Sequence, residues 1–242
     1  MDKLYIVIPA YNEEENIEQV IRQWYPFIDS RELCDSEGSR LVIADSCSTD
    51  NTHKIVSEMK VLMPKIEILS DTSQYHGPKV IALYKYAILN GADYIFQTDG
   101  DGQTNPEEFL SFWKDRHSYD GVFGYRKCRK DGKDRIFVSR IVCILVRIFF
   151  EVDIPDANAP FRLMSAGVLK KYIGILKEDY NIPNIILTSF FARFDKVAFK
   201  EITFKPRSAG KNSINIPKII SIGLGAIPDF MYFKKRMRMW VV

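Results

Sequence analysis

Tyr94-Ile95-Phe96-Gln97-Thr98-Asp99-Gly100-Asp101-Gly102-Gln103 runs from an apolar stretch straight into two carboxylates separated by one glycine. A β-strand that ends in Asp-Gly-Asp leaves its sheet with little side-chain bulk in the way. Both carboxylates can then turn toward one hard cation while substrate phosphates fill its remaining positions. A calcium-hand loop is excluded, because it needs Gly at its sixth position and Glu at its twelfth, where this chain has Thr104 and Leu110. A solvated turn is the plain alternative for any single Asp-x-Asp, and the position directly after a strand favours the metal reading.

Working outward, Leu4 to Ile8, Arg40 to Ala44 and Tyr94 to Phe96 are apolar runs rich in β-branched or aromatic residues, and Ile66 to Leu69 adds a short fourth. Segments of helical spacing separate them, which is the pattern of a parallel sheet with crossover helices. Glu13 to Trp24 reads as the first helix, with Asn12 as its N-cap and Ile17, Val20, Ile21 and Trp24 on one face. Lys79 to Asn90 reads as another, closed by Gly91. Gly121 to Gly124 and Val197 to Phe204 read as later strands. Ile136 to Phe150 reads as a largely apolar helix carrying Arg140 and Arg147 on one face, suited to the core or to a membrane surface. From Ile214 onward the apolar residues are interrupted by Pro217, Gly223, Gly225 and Pro228 and followed by the basic cluster Lys234-Lys235-Arg236-Met237-Arg238.

A chain of 242 residues with 46% hydrophobic and 27% charged residues can bury a sizeable core. No apolar window of spanning length lacks charge, and the run after Met1 is too short and early for a secretion signal, so a cytoplasmic protein is expected. Cys34, Cys47, Cys128 and Cys143 have no metal-ligand spacing and read as buried or half-buried thiols. The net charge of +3 is small, but Arg126-Lys127-Cys128-Arg129-Lys130 and the C-terminal cluster make anionic partners possible.

Three segments, Ile8-Pro9-Ala10-Tyr11-Asn12-Glu13-Glu14, Asp45-Ser46-Cys47-Ser48-Thr49-Asp50-Asn51-Thr52 and Asp99-Gly100-Asp101-Gly102-Gln103-Thr104-Asn105-Pro106-Glu107-Glu108, resemble in that order the nucleotide-sugar half of family 2 glycosyltransferases. Gly124-Tyr125-Arg126, Ser139-Arg140, Asp156-Ala157-Asn158-Ala159-Pro160-Phe161-Arg162 and Arg207-Ser208-Ala209-Gly210-Lys211 resemble later signatures of the dolichol-phosphate mannose synthase branch and its bacterial polyprenyl-phosphate relatives. The resemblance implies an α/β GT-A fold, a Rossmann-like, mostly parallel central sheet flanked by helices, over residues 1–213. Residues 214–242 would form a helical, partly basic extension.

It also implies inverting transfer of a sugar from a nucleoside diphosphate donor, assisted by Mg²⁺ or Mn²⁺. Pro9, Tyr11 and Glu13 would meet the nucleotide at the carboxyl edge of the sheet, and Asp45 a base or ribose one strand on. A cap at Asp50 or Thr49 for the helix that starts near Thr52 is the plain structural alternative there, and Ser46-Cys47-Ser48 departs from the family's usual Asp-Gly-Ser. Lys79, after Gly77-Pro78, would bring a cation near the diphosphate. Asp99 and Asp101 would hold the metal, with Gln103 beside them.

A lipid-phosphate acceptor needs cations and no general base, which Arg126, Ser139 and Arg140 fit. A sugar-hydroxyl acceptor of a growing polysaccharide or glycolipid needs a carboxylate, for which Glu178-Asp179 is available, with Asp179 as the base. Arg162 and Arg207 can close over the diphosphate or serve the acceptor, with Lys211 assisting. Beside Phe230, Met231, Tyr232, Phe233 and Trp240, the C-terminal cations suit the inner face of a membrane, the helix's own domain or a second copy of the chain. A non-catalytic anion- or nucleic-acid-binding module is the alternative of another class. No nucleic acid is expected, because no such motif is present. A nucleotidyltransferase would need a Gly-rich loop after the first strand, where Pro9-Ala10-Tyr11-Asn12-Glu13 stands.

Overall fold

The computed structural model describes residues 1–127, 133–206 and 216–240. Seven strands form one sheet: β1 (Leu4–Ala10), β2 (Arg40–Asp45), β3 (Ile66–Leu69), β4 (Tyr94–Thr98), β5 (Gly121–Tyr125), β6 (Phe161–Ser165) and β7 (Val197–Glu201). Their spatial order is β3-β2-β1-β4-β6-β5-β7, and only β6 runs against the others. The sheet is thus mostly parallel, as expected.

The helices are α1 (Ile17–Asp29), α2 (Thr52–Leu62), α3 (His76–Leu89), α4 (Phe109–Lys114), α5 (Lys133–Phe150), α6 (Ala166–Ile173), α7 (Pro183–Phe194) and α8 (Ile216–Met239). They cover both faces of the sheet, so β1 is buried at every position. Because strand side chains alternate, Leu4, Ile6 and Ile8 point into one core with Trp24 of α1 and Phe109 and Phe112 of α4. Tyr5 and Val7 point into the other, with Tyr84 of α3 and Phe190 and Phe191 of α7. In the first core Phe96 packs on Phe161 with ring centroids 4.7 Å apart and on Trp24 at 5.2 Å.

Several boundaries differ from the sequence reading, each for a local reason. The first helix starts at Ile17 rather than Glu13, and Asn12 is not its cap: Asn12 has φ 53° and its side-chain oxygen accepts from Thr49 N at 2.8 Å. Glu13 N likewise donates to Thr52 Oγ1 at 2.8 Å, so this segment is tied to the loop after β2. The face Ile17, Val20, Ile21 and Trp24 is buried as expected. The final apolar stretch is one continuous helix despite Pro228. Its Phe230, Phe233 and Met237 are buried in the domain, with Phe230 5.3 Å from Phe150 of α5. Cys34 is buried and Cys143 half-buried, but Cys47 is exposed, in a turn with φ 62°. Cys128, Arg129 and Lys130 lie outside the described residues, as does the expected boundary at 213.

Gly77, in the first turn of α3, marks a close approach. A Cβ there would stand 2.4 Å from the carbonyl oxygens of both Tyr180 and Asn181, so the loop before α7 rests directly on this glycine.

Candidate active site

In a parallel sheet the strand-to-helix loops gather at the carboxyl edge. Here the loops after β1, β2 and β4 bring Tyr11 and Glu13, Asp45, and Asp99, Asp101 and Gln103 to that edge. Antiparallel β6 enters the sheet at the same edge, opposite Gln97 and Thr98, and carries Asp156 just ahead of it.

Asp45 is buried, with Oδ1 accepting from Ser48 Oγ at 2.5 Å and Oδ2 3.2 Å from His53 Nδ1. Its carboxylate is therefore oriented from both sides at the end of β2. Asp50, the competing cap, accepts from Thr52 N at 3.0 Å and Thr52 Oγ1 at 2.6 Å and secures the start of α2. Lys79 is buried and donates to the carbonyls of Ala10 at 2.5 Å and Ser46 at 3.1 Å, clasping the ends of β1 and β2. Burial lowers its pKa, opposed by the negative charge of Asp45. Its ammonium stands 5.2 Å from the Tyr11 ring centroid, and the ring itself is exposed.

Asp99 is partly exposed, whereas Asp101 is buried and accepts from Gln103 N at 3.1 Å. Gly102 has φ 69°, a left-handed backbone that turns the loop back at this point. Gln103 is buried and donates to Lys205 O at 2.6 Å, while Lys205 N donates to Gln103 O at 2.7 Å. The segment after β7 is thereby stitched to the carboxylate loop. Asp99 Oδ1 receives Gln97 Nε2 at 3.1 Å and lies 3.2 Å from His76 Nε2. The surrounding protein works against the His76 imidazolium, but the charge and hydrogen bond of Asp99, with Asp101 behind it, outweigh that and raise its pKa. His76, next to the Gly77-Pro78-Lys79 segment, was not among the sequence candidates.

Among the described residues no group of three or more His, Cys, Asp or Glu side chains is placed to hold a metal on its own. Two carboxylates at a strand end instead match the habit of Mg²⁺ and Mn²⁺, which take one or two protein carboxylates and complete their shell with water and substrate phosphate. The donor set fits such an ion.

Arg126 is differently placed from the free anion-binding cation of the sequence reading. Its guanidinium grips Asp156 through two bonds, Nε to Oδ2 at 2.7 Å and Nη2 to Oδ1 at 3.0 Å, with the two side chains only 8% and 4% exposed. Sequence inspection had no signal for that pairing across thirty residues. Arg140 is exposed beside it, in an open cavity of about 460 Å³ also lined by Tyr125, Ser139, Cys143 and Ile144. Arg162 is fully buried in β6 and bonds Thr188 Oγ1 and, at 3.2 Å, Asn184 O. Asp179 is exposed in the loop that rests on Gly77, and its neighbour Glu178 pairs with Lys85 at 2.7 Å. Arg207 and Lys211 lie outside the described residues.

The pattern of glycosyl transferase family 2 matches residues 5–197, and the chain belongs to that family. It is 26% identical over 224 residues to the undecaprenyl-phosphate 4-deoxy-4-formamido-L-arabinose transferase of Shewanella sediminis, a match covering 92% of this chain and 65% of that protein. The chain thus spans slightly less than two thirds of the length of this relative. Over 121 residues it is 31% identical to a UDP-N-acetylglucosamine–dolichyl-phosphate N-acetylglucosaminyltransferase of Methanococcus voltae, covering 44% of this chain and 45% of that one. The fold is that of glucosyl-3-phosphoglycerate synthase from Mycobacterium tuberculosis, solved with Mn²⁺ and UDP-glucose, with a TM-score of 0.68 at 17% identity over 95% of this chain and 79% of that one. The GT-A expectation is borne out.

Proposed function

We propose that this chain transfers a sugar, with inversion, from a nucleoside diphosphate sugar to a polyprenyl phosphate. The observation that carries the reading is the meeting of Tyr11, Asp45, Asp99, Asp101 and Gln103 on one sheet edge, with the Arg140 cavity on the loop and helix that follow β5. The relatives named for undecaprenyl- and dolichyl-phosphate support the acceptor class.

Tyr11 and Asp45 bind the nucleoside. Lys79 holds the β1 and β2 ends that present them, which makes its role one of support through Ala10 and Ser46. Asp99 and Asp101 would hold Mg²⁺ or Mn²⁺, which when bound neutralises charge developing on the departing diphosphate. An acceptor phosphate oxygen attacks the anomeric carbon from the face opposite the diphosphate, forming the new C–O bond as the old one breaks. The acceptor is already an anion, so no side chain need remove a proton. Arg140, exposed and without an ion pair to any described residue, is the cation that meets it. Transfer to a sugar hydroxyl is the second reading, favoured by the contact that sets the Asp179 loop on the first turn of α3 beside His76.

Product formation by Arg140→Ala and Asp179→Asn, with donor saturating and donor affinity measured alongside, separates the two acceptors. Loss of one charge-assisted hydrogen bond of about 1.5–3 kcal/mol should lower transfer at least about tenfold in Arg140→Ala. Asp179→Asn should be nearly silent. The opposite pattern would establish the hydroxyl acceptor.

A lipid acceptor calls for a membrane surface, and α5 and α8 offer one. Ile141, Ile144 and Ile148 of α5 and Met231 and Tyr232 of α8 are exposed among Arg140, Arg147, Lys235 and Arg238. No described helix is long and apolar enough to cross a bilayer. Each cation near an anionic surface adds about 1 kcal/mol, so the protein should sediment with anionic vesicles at low salt and be released at high salt. Absence from the vesicle pellet at low salt would remove this part of the reading.

A further inference from the structure

We propose that Gln97 is a positioning residue for Asp99, held in place by a buried polar relay through Tyr84 and Asn184 that Arg162 anchors. The inference rests on the reading of Asp99 as a metal ligand.

Gln97 is wholly buried in β4, a strand covered on both faces, where an apolar residue would ordinarily stand. Burying a primary amide is costly unless its groups are bonded, and this one is satisfied in a specific way. Its Oε1 accepts from Asn184 Nδ2 at 3.0 Å and lies 3.3 Å from the Tyr84 hydroxyl. Its Nε2 donates to Asp99 Oδ1 at 3.1 Å. Asn184 Nδ2 can only donate and the Asp99 carboxylate oxygen accepts, so the carbonyl end of the amide faces Asn184 and the NH₂ end is the one turned to Asp99. Tyr84 has a single hydroxyl proton and stands closer to Asn184 Oδ1, at 2.9 Å, which in turn orders the Asn184 amide. Every member of the chain is therefore oriented by the next.

The far end is fastened to the fold. Asn184 lies in the first turn of α7, and its carbonyl accepts from Thr188 Oγ1 at 2.6 Å and Arg162 Nη2 at 3.2 Å. Arg162 stands opposite Gln97 in the β4 to β6 register, buried, with its guanidinium 4.9 Å from the Phe123 ring centroid. It makes no ion pair with a described carboxylate. A charge placed at that cost, bonded to the helix turn that bears Asn184, holds the turn at a set distance from β4.

The consequence falls on one oxygen. Gln97 and His76 both address Asp99 Oδ1, from its own strand and from α3, which leaves Oδ2 to face a cation or its waters. A carboxylate held by its neighbours binds metal better than one that must be ordered on binding, and such outer partners are worth about 10–100-fold in metal affinity.

The test is Mn²⁺ affinity in the presence of UDP, read from the electron paramagnetic resonance of free Mn²⁺, with circular dichroism and thermal unfolding on the same samples. Gln97→Met keeps the side chain's length and removes its hydrogen bonds, and should weaken Mn²⁺ binding by about tenfold. Asn184→Ala, which never touches Asp99, should weaken it in the same direction, and the double variant should bind Mn²⁺ no worse than Gln97→Met alone. Ser189→Ala, equally buried in α7 but bonded to Ile185 O and outside the relay, should lower thermal stability slightly and leave Mn²⁺ affinity unchanged. Unchanged affinity in folded Gln97→Met would overturn the inference while leaving the metal reading in place. Where Gln97→Met does not fold, unchanged affinity in Asn184→Ala does so. A wild-type protein that binds no Mn²⁺ with UDP would overturn the metal reading first, and this inference with it.

Discussion

Asp99→Asn and Asp101→Asn are each expected to lower sugar transfer by about a thousandfold, because each removes a carboxylate where charge develops on the leaving diphosphate. The fold should survive both changes. In Asp99→Asn the retained amide oxygen can still accept from Gln97 and His76, and in Asp101→Asn it can still accept from Gln103 N. Initial rates with donor saturating, together with circular dichroism, check the two halves of the expectation. Chelation of divalent ions should reproduce the loss in wild type. Full activity of either variant in excess chelator would remove the metal from the account.

Arg126→Ala is expected to cost stability ahead of any effect on acceptor binding. Its guanidinium and the Asp156 carboxylate are both buried and joined by two hydrogen bonds, so removing one partner strands the other charge. Breaking such a pair costs about 3–5 kcal/mol. At about 2–4 °C per kcal/mol for a chain of this size, the melting temperature should fall by about 10 °C. Asp156→Ala should fall comparably, and the double variant by less than the two together, since it leaves no orphan charge. Denaturant or thermal unfolding of the three variants measures this. Unchanged stability in both single variants would return Arg126 to the role of a free anion-binding cation.

The parts of the fold legible in the sequence are those with strict local periodicity. The strands at Leu4, Arg40, Ile66, Tyr94 and Gly121 show as short apolar runs, and the buried face of α1 shows in Ile17, Val20, Ile21 and Trp24. Less legible were places where distant segments override local preference. Asn12 reads as a helix cap, yet the loop at Ser48 and Thr49 captures its backbone and side chain and delays the helix by a turn. Pro228 reads as a breaker, yet burial of Phe230, Phe233 and Met237 carries α8 through it. The candidate residues of the donor side are legible because they follow strands directly. Arg126 and Lys79 look from sequence like cations awaiting an anion. Only their surroundings reveal that Asp156 and two backbone carbonyls already engage them.

The lone reversed strand also sets the order in which the sheet can close. β5 has two neighbours, β6 and β7, and both are made after it; β4 gains its second neighbour only when residues 161–165 have left the ribosome. Until then the growing chain carries β4 as an open edge, with Phe96 and Gln97 uncovered on a flank that bares unpaired backbone groups, a template for pairing with another nascent chain. β6 is the piece that ends the exposure of β4, joining it to β5 in one step, and β5 in turn keeps one open side until residues 197–201 follow.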